Sequence, residues 1–406
     1  MTYSQRGEFQ KAAENIEKAI SLYPWTPYYY NSLAGALLML GKFELAQENA
    51  KEALRLNPNP ASFNNKGMIL MELGRHEEAL QCYEQALKQS NEPYIHFNYA
   101  ICLLMLGKWA KGFQEYEYRH ALFANPIGCT APTYLTSVYD QEVVLVHEQG
   151  FGDTIQFIRY AKLLKKYVKK LGIWCPPELE KLMTLIPEID EVNVPKKYDC
   201  FIPMLSLPRL FDTTPENISE SNGYIPSKKN QNKEFSIGIV WSSRRPPEYN
   251  CQFTQLADAV TMLPSARNMV HFSSYKRSFH PRLFEPISKI AKLFSLQQGP
   301  DVEQIKEGNF PITELKAKDF FDTACNINSL DLVISIDTAV AHLAGAMNKP
   351  TFLLLPFSSE WRWGFNKDIT PWYSSMRIFK QPKSGDWESV FKSLTCCLES
   401  SRKQNL

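Results

Sequence analysis

Apolar and polar positions follow two different rhythms along the chain. In the first third, small residues recur at a fixed interval. Glycines stand at Gly7, Gly41, Gly74 and Gly107, separated by 34, 33 and 33 residues. Five positions after the first three come Ala12, Ala46 and Ala79, and twelve after them Ala19, Ala53 and Ala86. Seven before the later three stand Ala34, Gly67 and Ala100. Beyond about residue 140 the rhythm changes to short apolar runs followed by helical spacing. Val143, Val144, Leu145 and Val146 form a strand-like run, and Ile155, Ile158, Ala161 and Leu164 then recur at helical intervals. Two glycines and an acid interrupt the two patterns in "EQGFGDT".

A period of 33 to 34 residues predicts stacked helix–turn–helix units, with small residues where helices cross and glycine in the turn. The stretches "LMLGKFELAQENAKEALRLNP" and "MELGRHEEALQCYEQALKQSNEP" resemble tetratricopeptide repeats. Pro24 and Pro58 close two repeats and Pro93 nearly matches them. Met1 lies six residues before Gly7, so the first repeat is expected to lack its first helix: either the array starts on a half-repeat or the chain is a shortened relative of something longer. Asn65 and Asn98 each stand nine residues before a turn glycine. Repeats of this kind often aim such asparagines into a concave groove that holds peptide backbone; two solvated asparagines on helix faces are the equal alternative.

After "WAKGFQEYEYRHAL", residues Ala124 to Tyr139 read as loop, with Pro126, Gly128 and Pro132. The aromatics Trp109, Phe113, Tyr116 and Tyr118 suggest a seam between the last repeat and the first lobe. Strands and helices then alternate: "EVVLVHE", a helix from Thr154 to Lys170, "GIWCP", a helix from Pro177 to Leu185, and "YDCFIP". Such alternation predicts a parallel sheet. Ser227–Glu234 is polar and reads as a linker. A second alternating region starts at "FSIGIVWSS" and runs through "DLVISIDTAVAHLAGAMNKPTFLLLP". The expected domains are a repeat array over 1–120 and two Rossmann-like α/β lobes over 121–232 and 233–406.

Composition narrows the function classes. The chain has 406 residues, 44% hydrophobic and 22% charged, which is ordinary for a globular protein of two or three domains. Lys plus Arg number 45 against 43 Asp plus Glu, for a net charge of +2. That balance gives no bulk attraction to nucleic acid or an acidic membrane. Nine cysteines, without a C-x-x-C pair, predict neither a disulfide framework nor structural zinc. No apolar run approaches the roughly 18 residues of a membrane span. The charged, amphipathic N-terminus does not read as a signal peptide. The expectation is a cytoplasmic protein.

Two turns carry candidate chemistry. In "EQGFGDT", a strand leads through Gln149, Gly150 and Gly152 to Asp153 and Thr154. Backbone N–H groups collect there, and glycine lets a ligand approach the chain. Asp153 reads either as a general base or as a cap bonding the N–H of Ile155 or Gln156. In "SIDTAVAHLAGA", a strand ends at Asp337 and a helix begins with Thr338 and Ala339. His342 follows about one and a half turns later. Unpaired N–H groups at that helix start suit a diphosphate, which Asp337 itself would repel.

The segments "EQGFGDTIQFIRY", "FIPMLSLPRLF", "IGIVW", "FSLQQGP", "DLVISIDTAVAHLAGAMNKP" and "WRWGF…PWYSSMRIFKQP…GDWESV" together resemble glycosyltransferase family 9, the ADP-heptose heptosyltransferases. The resemblance, with the repeats, runs from Met1 to about Val390. It implies an α + α/β chain: tetratricopeptide helices followed by a GT-B fold of two Rossmann-like lobes. It implies that Asp153 is the base, and that Asp337, Thr338, Ala339 and His342 line the nucleotide-sugar site. A basic residue is implied before the helix that follows "IGIVW", and Arg277 in "YKRSFHPRLFEPI" matches that place. The match departs from the family at "SSRRPPEYN", where Arg244 or Arg245 are alternative cations. Gln149, Gly150, Gly152, Thr154, Trp241, Gln297 and Arg362 are candidate donor or acceptor contacts. Trp361 and Trp363 read as packing, with Arg362 as the one contact.

The absence of D-x-D implies a metal-independent enzyme. No cofactor is implied; the nucleotide sugar, ADP-heptose in the family's example, is the substrate. The function so implied is an inverting transferase that moves a sugar to a protein or glycan hydroxyl, with the repeats recruiting the acceptor. A repeat scaffold whose transferase lobe has lost its chemistry is the alternative. A nucleotide-sugar epimerase of the same fold is a third reading, but the acids it needs around the sugar are not evident.

Overall fold

The computed structural model describes residues 8–122, 132–218, 221–227, 234–243, 276–307, 310–364 and 368–404. Arg244 and Arg245, Gly7 and most of the Ser227–Glu234 linker lie outside the described residues. The described residues of 1–126 and 358–365 form one compact unit, and those of 127–245, 276–357 and 366–406 another.

The repeat unit contains helices α1 (Phe9–Leu22), α2 (Pro27–Met39), α3 (Phe43–Leu56), α4 (Pro60–Glu72), α5 (His76–Leu87), α6 (Pro93–Met105) and α7 (Trp109–Tyr116). The recurring glycines end α2, α4 and α6. Gly41, Gly74 and Gly107 have φ of 71°, 72° and 74°, a region glycine enters without Cβ strain. At each, two reverse hydrogen bonds close the helix. Gly41 N–H donates to Leu38 O at 3.0 Å and Lys42 N–H to Leu37 O at 2.9 Å, and the other two turns repeat the pattern. These are Schellman caps, and they explain the glycine spacing. Pro24 and Pro58 stand just past the ends of α1 and α3, as the sequence reading had them, and a second set of prolines opens helices. Pro27, Pro60 and Pro93 occupy the first turns of α2, α4 and α6. Proline suits that place because its fixed φ fits the helix and its missing N–H would go unbonded anyway.

Small residues sit where helices cross. Ala34, Ala46, Ala53, Ala79, Ala86 and Ala100 are all fully buried. A Cβ at Gly67 would stand 2.6 Å from the Tyr83 ring. The last repeat buries Trp109, Phe113 and Tyr116 around Trp361, with ring centroids 6.4, 5.6 and 6.3 Å away. The described partner of these aromatics is Trp361, which belongs to the same unit. Tyr118 instead stacks on His96 with centroids 3.8 Å apart.

The second unit holds two parallel sheets. Strands β1 (Glu142–Val146), β2 (Lys170–Trp174), β3 (Glu191–Val192) and β4 (Cys200–Pro203) are ordered β3-β2-β1-β4. Strands β5 (Ser236–Val240), β6 (Lys292–Ser295), β7 (Ile312–Glu314), β8 (Leu332–Ile336), β9 (Thr351–Leu355) and β10 (Met376–Lys380) are ordered β10-β9-β8-β5-β6-β7, again all parallel. The continuous apolar runs are explained by burial on both faces, as parallel strands require: β5 and β8 are buried throughout. The architecture expected from the sequence, helical repeats followed by a parallel α/β region, is the observed one.

In each sheet the chain winds outward from one strand and then returns to its other side. The switch falls between β1 and β4 in the first sheet and between β5 and β8 in the second. A crevice opens at the carboxyl ends of strands at such a point. Helix α8 (Phe151–Phe157) follows β1. The expected helix Thr154–Lys170 is thus corrected: it starts at Phe151, passes through a 3-10 turn at Ile158–Tyr160 and resumes only over Ala161–Leu164. Gly152 and Asp153 lie inside its first turn.

Candidate functional site

The first wall of the site is the turn between β1 and α8. Gln149 has φ of 62°, which turns the chain, and Gly150 caps α8. Asp153 reaches back to accept the Gly150 N–H at 2.8 Å. The cap bond described for Asp153 is thus to Gly150, on the N-terminal side of the helix. This hydrogen bond and the positive helix end both favour the charged carboxylate. Thr154 is buried, and its hydroxyl lies 2.6 Å from His147 Nδ1. Glu148 accepts the Leu205 N–H at 2.8 Å, which ties this turn to the segment after β4.

The second wall is the turn between β8 and the helix Ala339–Ala346. Thr338 is the cap residue, with extended backbone, and its hydroxyl lies 3.1 Å from Ser335 Oγ. Thr338 and Ala339 are half-buried, while Asp337 and His342 are buried. Arg277 donates to Asp337 at 3.2 Å and to Ser243 Oγ at 2.8 Å. The sequence thus brings a cation 60 residues away onto the end of β8. His342 Nε2 lies 3.8 Å from Asp337 Oδ1, and its Nδ1 lies 2.9 Å from the Tyr373 hydroxyl. Burial pushes the Tyr373 hydroxyl well above its ordinary pKa, so it is a neutral partner at physiological pH.

The two walls touch. A Cβ built on Gly152 would stand 2.8 Å from His342 Cδ2 and 3.5 Å from Ala339 Cα. Glycine at this position is what allows α8 to approach the helix Ala339–Ala346 so closely. The switch-point turns of both sheets therefore meet, with Asp153 one residue from the contact. Their chemistry is complementary: one wall carries a carboxylate, and the other a helix N-terminus, a guanidinium, an acid and an imidazole. Such a set can bind an anionic group and hydroxyls together, and can accept a proton.

Three other candidates have structural partners. Trp241 is fully buried and donates from Nε1 to Gln304 at 2.8 Å, which corrects its reading as a ligand contact. Gln297 accepts from Trp241 N at 3.2 Å and Ser242 N at 3.0 Å, and donates to Ser242 O and Gln298 O. Both ends of its amide are used to shape the chain after β5, so it positions the site instead of touching a ligand. Ser242 also bonds the buried carboxylate of Asp301. Arg362 belongs to the repeat unit, its guanidinium 4.5 Å from the Trp361 ring.

The groove asparagines are used between repeats. Asn65, 4% exposed, donates to Asn31 at 3.0 Å, and Asn98 donates to Asn64 at 2.9 Å. Each bond crosses 34 residues and ties neighbouring first helices. Asn98 keeps partial exposure.

Sequence reasoning passed over Arg159. It is 1% exposed and lies against Tyr224, Trp372 and Tyr373, with ring centroids 4.9, 5.3 and 4.8 Å away. It donates to the Gln156 and Trp372 carbonyls at 2.8 Å each and so joins the two sheet regions. The only signal was an arginine inside the otherwise apolar "FIRY".

Tetratricopeptide-repeat family models match residues 1–61 and 60–90, so this part of the chain consists of tetratricopeptide repeats. Protein FlbA of Caulobacter vibrioides is 38% identical over 85 residues, which are 21% of this chain and 14% of that protein. The chain therefore spans only a small part of that relative's length. A glycosyl transferase family 9 structure from Veillonella parvula is similar over 63% of this chain and 90% of its own, at 12% identity and a TM-score of 0.41. A thermophilic TPR protein of Thermus thermophilus is similar over 28% of this chain and 65% of its own, at 24% identity and a TM-score of 0.27. These scores are low, and the fold rests on the helix pairs and strand order above. No helix among the described residues is long and apolar enough to cross a membrane.

Proposed function

We propose that this protein is an inverting glycosyltransferase that moves a sugar from a nucleotide-sugar donor to a hydroxyl of a protein or glycan acceptor. The observation that carries the reading is the Gly152–His342 contact, which joins Asp153 to the turn holding Asp337, Thr338 and Arg277. The order of family 9-like segments in the sequence supports it further.

In this reading the donor diphosphate lies at the N-terminus of the helix Ala339–Ala346. There the N–H groups and Arg277 take up the charge that develops as the glycosidic bond breaks. Arg277 is held by Asp337 at 3.2 Å, so the pair is neutral before donor binds, and the arriving diphosphate shares its guanidinium. Asp337 then accepts from sugar hydroxyls. The acceptor oxygen attacks the anomeric carbon from the face opposite the diphosphate, and its proton passes to Asp153. A carboxylate bonded to Gly150 is a weak free base, so this transfer accompanies late C–O bond formation. The repeats hold the acceptor polypeptide, and the reaction uses no bound metal.

The test is mass spectrometry of proteins from cells with and without this gene. A defined sugar increment present only with the gene supports transfer to protein. Identical protein and glycan masses in the two cell lines would overturn the reading.

A further inference from the structure

The imidazole of His342 has a neighbour on each of three edges. A Cβ on Gly345, less than one turn further along the helix Ala339–Ala346, would stand 2.5 Å from Tyr373 Cγ. The Tyr373 ring thus lies on the helix where a side chain would clash, and its hydroxyl reaches His342 Nδ1 at 2.9 Å. Gly152 packs against His342 Cδ2. Nε2 is turned toward Asp337, with Oδ1 3.8 Å away. Tyr373 is fully buried and His342 is 5% exposed, so packing fixes both rings.

Counting protons assigns the tautomer. A guanidinium has only donors, and a phenol has one proton. The Arg159 guanidinium lies 4.8 Å from the Tyr373 ring centroid and bonds its hydroxyl, so the phenol oxygen turns a lone pair to it. Tyr224, the other hydroxyl beside Tyr373, gives its own proton to Ile155 O at 2.6 Å and accepts from Arg159 at 3.3 Å. The Tyr373 proton is then left for His342 Nδ1, which must carry none. Burial keeps that phenol protonated. On the opposite edge a carboxylate can only accept, so Asp337 favours a proton on Nε2. Both edges of the ring call for the same tautomer.

We infer that Tyr373 is a positioning residue of the candidate site: it donates to Nδ1 and holds His342 as a neutral imidazole whose Nε2–H is turned to the side of Asp337. His342 and Asp337 then act as a pair. Their 3.8 Å separation is too long for a direct hydrogen bond, and it lets one hydroxyl oxygen reach both, donating to the acid and accepting from the imidazole. In the glycosyltransferase reading, on which this part rests, that hydroxyl belongs to the donor sugar. A neutral N–H at this point reads a hydroxyl without adding a second cation beside Arg277.

Nitrogen NMR of the full chain, isotope-labelled at its seven histidines, tests the tautomer directly. His342 is identified by the signals lost in His342→Gln. At neutral pH its Nδ1 should appear as an imine nitrogen and its Nε2 as a protonated one. Tyr373→Phe keeps the ring on Gly345 and removes only the hydroxyl, so the Nδ1 resonance should move toward that of an unbonded imine. A proton on Nδ1, two protonated nitrogens, or an Nδ1 resonance indifferent to Tyr373→Phe would overturn the inference. Calorimetry with ADP and with ADP-heptose then separates sugar from nucleotide. Tyr373→Phe should weaken ADP-heptose about fivefold, as loss of one neutral hydrogen bond does, and leave ADP within about twofold. Equal weakening of both ligands would remove the pair from the sugar. Wild type that takes neither ligand would tell against an ADP-sugar donor, and the nitrogen resonances would still decide the role of Tyr373.

Discussion

Replacing Gly152 by Ala adds one methyl group at the contact between the two walls. On helix propensity alone, the change stabilises α8 by at most about 1 kcal/mol. The new Cβ, however, would stand 2.8 Å from His342 Cδ2, about 0.6 Å inside an ordinary contact. His342 has little freedom to retreat, because Nδ1 is held by the buried Tyr373 hydroxyl at 2.9 Å. Overpacking of this kind costs about 1–3 kcal/mol, which exceeds the propensity gain. Gly152→Ala should therefore lower stability by up to about 2 kcal/mol in urea unfolding, with an unchanged slope. It should also weaken binding of whichever nucleoside diphosphate the wild-type protein takes, by about tenfold, since that displacement is worth about 1.4 kcal/mol at the site. A variant more stable than wild type, with unchanged nucleotide affinity, would refute the close contact and the joint site built on it.

Other expectations follow from single contacts. Hydrogen bonds from Lys170 and then Lys196 hold Glu191 at a pKa of about 2. Its folded pKa lies below the ordinary carboxylate value, so its stabilisation is fully present above about pH 4.5 and fades as pH falls toward 2. Thermal unfolding of Glu191→Gln should fall below wild type at pH 7 and converge with it near pH 2; equal unfolding temperatures at pH 7 would contradict this. Nucleoside diphosphate binding should survive excess chelator in calorimetry, and its loss on chelation would contradict a metal-free site. Asn65→Ala removes an inter-repeat bond to Asn31 and should cost about 1–2 kcal/mol of stability. Asn98→Ala, at a half-buried position, should weaken acceptor modification more than it lowers stability. Undiminished transfer by the folded Asn98 variant would remove that residue from the acceptor groove.

Local features were legible in the sequence, and long-range partners were not. The 33-residue glycine rhythm is a backbone requirement, repeated wherever a helix needs a left-handed residue to close, so it shows without any structure. The runs at Val143–Val146 and Leu332–Ile336 announce buried parallel strands for the same local reason. Both walls of the site sit just after those runs, so Asp153 and Asp337 could be singled out by position. Trp361 carries no local mark of its partners Trp109, Phe113 and Tyr116. Deleting the array through Tyr118 would strip that tryptophan of its packing, so the truncation alters more than acceptor binding. Trp241 and Gln297 read as ligand contacts because they follow strands; only their burial and filled hydrogen bonds assign them to the scaffold. Arg159 was hidden for the opposite reason, since its partners Tyr224, Trp372 and Tyr373 are dispersed over the rest of the chain.

The central claim is that Asp153 serves as the base for sugar transfer at a site shared by both sheets. The direct measurement is turnover of a nucleotide-sugar donor by wild type and by Asp153→Asn, alongside nucleoside diphosphate affinity by calorimetry. Asparagine keeps the shape of the side chain and can still accept the Gly150 N–H, so the turn should hold and affinity should stay within about twofold. Turnover should fall by about 10²–10⁴, the usual effect of losing a general base. Turnover within about tenfold of wild type, at unchanged affinity, would contradict the assignment of Asp153.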